Sequence, residues 1–236
     1  MFQNLTFREI ESLAKQNVPI IIPVAQIEAH GPHLPVGAYL YCAEEICRRA
    51  AIAVGGLVGL PITLGDCADF TYWPGHITVS AQTLIAIFRD YCESLRAQGF
   101  GRLAFFCCAG GNIANTLHLA AGEYFKDHHD ADIVLVTLNQ LLHPQTTQMI
   151  QKQDADPMTS MMLAIRPDLV HLDKLKEVEI KSHIEQLRQA YCFREGYRLS
   201  DFFPDGVYHV RKGCTKEVGE KIMAEAADSL GKLGKE

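Results

Sequence analysis

The sequence predicts an α/β fold with three layers: a mostly parallel sheet with helices on both faces. Three observations predict it. Short apolar runs rich in β-branched residues alternate with amphipathic segments of helical period, which is the rhythm of strand–helix–strand units. The runs are apolar throughout, as strands covered on both faces are. A chain of 236 residues can bury roughly 70% of its unfolded surface, enough for a full core.

Each element has a local reason. Residues 18–25 (VPIIIPVA) read as the first buried strand. A turn-rich stretch, 28–37, follows. A helix over 40–53 places Ala43, Ile46, Cys47, Ala50 and Ala51 on one face and Glu44, Glu45, Arg48 and Arg49 away from it. Residues 57–63 are the second strand. Ser80 can cap a helix running to residue 98, with Leu84, Ile87, Phe88, Tyr91, Cys92 and Leu95 inward; Gly99 ends it. Residues 103–108 (LAFFCC) are the third strand, running into Ala109-Gly110-Gly111-Asn112 and a helix to 125. Residues 133–138 are the fourth strand. Shorter helices are predicted over 157–165, 181–189 and from 216 to the end. The stretches 140–157 and 192–210 read as irregular. Neither is long or polar enough to be a linker, no internal repeat is visible, and one domain over 1–236 is expected.

Composition narrows the function classes. Apolar residues make up 48% and charged residues 21%, a globular balance that excludes a disordered chain. No apolar run reaches the ~18 residues of a membrane helix. The first residues lack a basic start followed by an apolar core, so no signal peptide is expected. Lys and Arg total 22 against 28 Asp and Glu, a net charge of −6, which argues against a nucleic-acid partner. None of the eight cysteines forms a C-x-x-C pair, so neither a zinc ribbon nor a thioredoxin site is indicated. Reduced thiols and a cytoplasmic location are expected.

In a parallel sheet, ligands sit outside the carboxyl ends of the strands. The loops after Ala25 and Cys108 are therefore the ones to examine. The first carries Glu28-Ala29-His30-Gly31-Pro32-His33-Leu34-Pro35. One carboxylate and two imidazoles within six residues are the usual ligands of zinc, manganese or iron, and Gly31, Pro32 and Pro35 would hold the loop in a fixed path. On spacing alone, backbone hydrogen bonding by the two histidines is an equal reading. At the second loop, Cys107 and Cys108 are core residues, a thiolate ligand, or a nucleophile. The last requires a lowered pKa, which Gly110-Gly111 opening a helix could supply, with His30 or His33 as base. Asp66 and Asp69 precede Pro74 and read as solvated. Tyr72 and Trp73 could wall a pocket or fill a subunit interface.

These residues resemble a family. Glu28 to Pro35, E-x-H-G-x-H-L-P after the first strand, is similar to the creatininase (creatinine amidohydrolase) family. Pro74-Gly75-His76-Ile77-Thr78-Val79-Ser80 resembles its F-P-G-T-I-S-L-S, and Gly110-Gly111-Asn112 resembles the end of its N-G-H-G-G-N loop. Thr159-Ser160-Met161-Met162-Leu163, with Arg166-Pro167 and Leu172-Asp173, resembles its E-T-S-x-x-L…R-P…L-D segment. Asp205-Gly206-Val207 and the helix from Lys216 resemble its C-terminal region. The resemblance runs from about residue 5 to 228. It implies an α/β sandwich, hexameric assembly, and one or two divalent metals at the strand ends, activating a water that hydrolyses a cyclic amide or related C–N bond.

The resemblance also marks where this chain departs. The family's first Glu and His ligands match Glu28 and His30. Its bridging Asp falls on Tyr39. The His of N-G-H falls on Ala109, and the acidic ligand two residues on falls on Gly111. Its H-A-G-E-x-E-T-S becomes Gln153-Asp154-Ala155-Asp156-Pro157-Met158-Thr159-Ser160, so the acid–base His is Gln153, the first Glu is Asp156 and the second is Met158. A catalytic zinc needs about three protein ligands and an open position. The expectation is therefore a degenerate metal site, holding at most one divalent Zn, Mn or Fe on Glu28, His30 and Asp156. His33, Tyr39, Cys107, Cys108, Gly110, Gly111, Asn112 and Gln153 are the pocket candidates. A non-catalytic protein that binds a small molecule, as a homo-oligomer away from membranes and nucleic acids, is one reading. An amidohydrolase with a rebuilt mononuclear site is the alternative, and a metal-free cysteine enzyme the third.

Overall fold

A computed structural model of the chain describes residues 1–67, 71–177, 200, 203–207 and 210–234. Its centre is a four-stranded parallel sheet: β1 (Ile20–Val24), β2 (Leu57–Val58), β3 (Arg102–Cys107) and β4 (Asp132–Thr137), in the order β2-β1-β3-β4. Parallel neighbours need crossovers. Helices α2 (Ala38–Val54), α3 (Ala81–Ala97) and α4 (Asn112–Asp127) supply them. Val24 pairs with Cys107, so the strands end together and the loops that follow them share one edge of the sheet.

The strand period of two divides the core. Ile21, Ala104 and Phe106 face one layer, built by α2, α7 (Pro157–Ile165) and α8 (Lys216–Leu233). Ile20, Ile22, Val24, Leu103, Phe105 and Cys107 face the other, built by α1 (Phe7–Lys15), α3 and α4. Both faces are thus covered, which is why β1 is buried along its whole length. Ser80 accepts from the Thr83 N–H to cap α3, and Leu84, Phe88, Cys92 and Leu95 are its buried stripe, with Ile87 and Tyr91 partly buried against it.

Several expectations change. The second strand is only Leu57–Val58; beyond it Pro61 has no N–H to donate, and contact with β1 resumes as a bridge between Val24 and Ile62. The stretch 140–157 is not irregular. It holds α6 (Pro144–Lys152), preceded by the short α5 (Leu138–Leu141). Thr137 and Gln140 form a capping box on α5, and Glu225 of α8 accepts from the His143 N–H and, at 2.6 Å, from the Thr146 hydroxyl, closing the start of α6. The helix predicted over 181–189, and most of 192–210 with Cys192, lie outside the described residues, as does Asp69. Trp73 is buried within the chain, donating to the Pro204 carbonyl at 2.9 Å, so it is an internal wall, whereas Tyr72 is exposed. No helix among the described residues is long and apolar enough to cross a membrane.

Candidate functional site

The loop after β1 is folded back on its own backbone. Ala25 N–H bonds Ile62 O and Ile27 N–H bonds Thr63 O, extending the strand. Glu28 N–H then bonds Val36 O and His171 N–H bonds His33 O. Gly31 turns the chain at φ +76°, a left-handed value open to glycine. A Cβ there would meet Val207 Cγ2 at 2.5 Å and His33 Nδ1 at 2.9 Å.

These bonds shape a cavity of about 270 Å³ at the carboxyl end of β1. The loop contributes Glu28, Ala29, His30 and His33, and α2 contributes Tyr39. The start of α7 contributes Asp156 and Thr159. Leu175, Gly206, Val207, Arg211 and Cys214 complete the wall.

Three side chains are joined in a line. Thr159 O–H donates to Asp156 Oδ2 at 2.8 Å, and Thr159 N–H donates to the same oxygen at 2.7 Å. Asp156 is thereby the N-cap of α7. The Thr159 hydroxyl has one proton, already given to Asp156. At 2.9 Å from His33 Nε2 it can therefore only accept. That fixes the His33 tautomer with the proton on Nε2 and a lone pair on Nδ1. Nδ1 is buried and has no hydrogen-bond partner among the described residues.

Burial sets the protonation states. His33 is pushed down to about 4, chiefly by burial and then by neighbouring His30, so it is neutral at pH 7. Burial likewise lowers His30, whose ring meets Tyr39 edge-on at 5.0 Å. Burial lifts Glu28 to about 7, against hydrogen bonds from Gln26 and Cys67 that favour its ionised form. The Gln26 amide donates to Glu28 Oε2. Tyr39 is held as a phenol by burial and by Glu28. Arg211 is paired with Asp154 at 2.9 Å.

The structure brings Glu28, His30, His33, Tyr39 and Asp156 to this cavity. The other candidates stand apart from its lining. Cys107 and Cys108 point to opposite core layers and are buried. Cys107 is pushed up to about 12 and Cys108 well above the thiol range, in both cases by burial. Of the three readings the sequence left open, the structure shows core residues; the lowered pKa that a nucleophile requires is absent, since both are thiols at neutral pH and a nucleophile must be a thiolate. Gly110, Gly111 and Asn112 are exposed at the start of α4. Gln153 is the C-cap of α6 and lines a shallower depression beside Gly213 and Thr215. Sequence reasoning missed Gln26, Thr159 as a hydrogen-bonding member, Arg211 and Cys214. A polar residue ending an apolar strand was a signal for Gln26. The others carry none, because they reach the cavity only through the fold.

A polar cavity walled by carboxylates and imidazoles, at the carboxyl ends of a parallel sheet covered by helices, defines the class of this protein. The sequence model of the creatininase family, described as creatinine amidohydrolase, matches residues 3–233, and the chain belongs to that family. It is 24% identical over 194 residues to a creatinine amidohydrolase of Pseudomonas putida, covering 72% of this chain and 74% of the relative. It is 26% identical over 219 residues to a mycofactocin precursor peptide peptidase of Mycobacterium ulcerans, covering 89% and 81%. A crystal structure of creatinine amidohydrolase superposes with a TM-score of 0.79 at 20% identity, covering 97% of this chain and 93% of that one.

Among the described residues, no three His, Cys, Asp or Glu side chains gather at metal-binding spacing. Glu28 Oε2 is taken by Gln26 and Asp156 Oδ2 by Thr159.

Proposed function

We propose that this creatininase-family chain has no binuclear metal centre and uses the cavity at β1 to bind a small molecule without metal-dependent hydrolysis. The observation that carries the reading is the state of the donors. The positions matched to the family's remaining ligands hold Tyr39, Ala109, Gly111 and Met158. Ala109, Gly111 and Met158 offer no anionic donor, and Tyr39 is kept protonated by burial. A two-metal site needs carboxylate charge between its cations, and Tyr39 brings none. The residues present do not fit that centre.

They do suit a ligand. The cavity, at about 270 Å³, is near the small end of ligand sites, and Val207 and Leu175 give it apolar walls among convergent polar groups. The family resemblance further supports an oligomeric protein.

The test is metal content by inductively coupled plasma mass spectrometry. Protein is purified without chelator or His-tag and measured before and after incubation with zinc and manganese. No retained stoichiometric metal is expected. Two metals per chain would overturn the reading and restore the two-metal amidohydrolase. One per chain would overturn it in favour of a rebuilt mononuclear site on Glu28, His30 and Asp156, which line the same cavity.

A further inference from the structure

We infer that Trp73 is a positioning residue for this cavity. It holds Gly206 and Val207 so that Val207 closes the wall over Gly31, which limits the size of what enters. This rests on the cavity being the binding site, and metal content does not enter it. Gly206 and Val207 line the space, and Trp73 stands behind them. Trp73 is 8% exposed, and its indole N–H donates to the Pro204 carbonyl at 2.9 Å. Its ring faces Gly206: a Cβ there would stand 3.5–3.6 Å from three indole atoms. Gly206 has φ +66°, the left-handed region that favours glycine. Its N–H bonds the Phe203 carbonyl at 2.9 Å and closes a turn against the indole. Phe203 and Val207 are buried on either side.

The next residue reaches the cavity. Val207 Cγ2 sits where a Cβ on Gly31 would be only 2.5 Å from it. Val207 therefore fits against the loop after β1 because residue 31 has no side chain. Trp73 is registered to the same loop from another side. A Cβ on Gly75 would meet Val36 Cγ1 at 2.9 Å, and the Val36 carbonyl accepts from the Glu28 N–H. Further along, Thr78 Oγ1 accepts from the Cys67 N–H at 3.0 Å and donates to the Gly65 carbonyl at 3.1 Å. Trp73 thus stands on a fixed turn. The wall it carries is set against the loop that supplies Glu28, His30 and His33. Close packing transmits a displacement: ring atoms removed at position 73 leave Gly206 unsupported and let Val207 withdraw.

Cys214 lines the same cavity and serves as a size gauge. The native full chain is treated with iodoacetamide or with its fluorescein derivative, which share one reactive group and differ in bulk. Labelling of Cys214 is followed by peptide mass spectrometry. The ratio of the two rates is divided by the same ratio for the chain unfolded in urea, so the thiolate fraction cancels. In the parent the small reagent is expected to be favoured about tenfold or more, a barrier difference of about 1.4 kcal/mol. Trp73→Phe, which loses the N–H, should lower that preference about fivefold, within the reach of one hydrogen bond. Trp73→Leu should bring it near one. Val207→Ala should also lower it, while the emission and acrylamide quenching of Trp73, the one tryptophan, stay those of the parent. Tm is recorded for each variant. A role confined to stability would lower Tm and leave the preference unchanged, and that result for both Trp73 variants overturns the inference. Equal rates for the two reagents in the parent, or a preference that Val207→Ala leaves untouched, overturn it too. Those two measurements keep Trp73 in place and decide the matter even where a Trp73 variant fails to fold. Metal content, measured as above, bears on the metal-free reading alone.

Discussion

His33 Nε2 lies 2.9 Å from Thr159 Oγ1 across 126 residues of chain. The bond ties the loop after β1 to the first turn of α7, and Thr159 passes the link on to Asp156. Loop and helix are thus one unit, held by a hydroxyl that accepts on one side and donates on the other. Thr159→Val keeps the shape but leaves a buried imidazole N–H without an acceptor. The expected loss is about 1–3 kcal/mol in urea unfolding, whereas Thr159→Ser, which keeps the hydroxyl, should lose less than about 1 kcal/mol. A Val variant as stable as the parent would show that the link contributes nothing.

The two groups beside that link give opposite pH dependences. Glu28 rises from 4.5 to about 7 on folding. The folded chain holds its proton more tightly, so its contribution is full below pH 4.5 and is lost as pH rises through about 7. His33 falls from 6.5 to about 4. Its contribution is full above pH 6.5 and is lost as pH falls through about 4. Between pH 4.5 and 6.5 the two slopes oppose each other. Glu28→Gln removes one of them, so the variant's unfolding free energy should climb with pH across that window more steeply than the parent's. Parallel curves from denaturant titrations at several pH values would refute the assignment.

Gly219 sets how closely α8 approaches α7. A Cβ at this position would lie 1.9 Å from the Ser160 carbonyl oxygen. Alanine is a better helix former than glycine by about 1 kcal/mol, so on propensity alone Gly219→Ala would stabilise. Overpacking against backbone costs about 1–3 kcal/mol or more, and backbone cannot swing aside. The clash should win, and Tm should fall. An unchanged or raised Tm would mean that the two helices can separate freely.

Cys107 and Cys108 are buried, and burial keeps both protonated. Iodoacetamide at pH 8 should leave them unmodified in the native protein and label them only after unfolding, as read by peptide mass spectrometry. Native labelling of Cys107 as fast as a free thiol would return the cysteine enzyme to consideration.

Much of the fold was legible in local pattern. The stripe of α2, the Ser80 cap, the runs of β1 and β3, and the Pro start of α7 each lie within a few residues of the feature they specify. What misled was polarity. The segment PQTTQMIQK buries only Thr146 and Ile150 fully, with Met149 partly buried against the core, so its helical period is faint, and part of its support is Glu225, far along the chain. The helix α1 was not among the predicted elements: its buried stripe, Ile10 and Ala14, is narrow, although Thr6 and Glu9 form a capping box at its start.

By itself, the sequence determined the strand–helix alternation, the edge of the sheet where a site would lie, and the side chains of the first loop. Those depend on period, turn residues and strand ends, all of them short-range. Only the tertiary structure decided which donors meet. It joined His33 to Thr159, turned Gln26 onto Glu28, brought Arg211 and Cys214 to the wall, and sent Cys107 and Cys108 into opposite core layers. The reason is physical: tautomer, protonation and hydrogen-bond partner follow from burial and from neighbours distant in sequence, and local pattern carries neither.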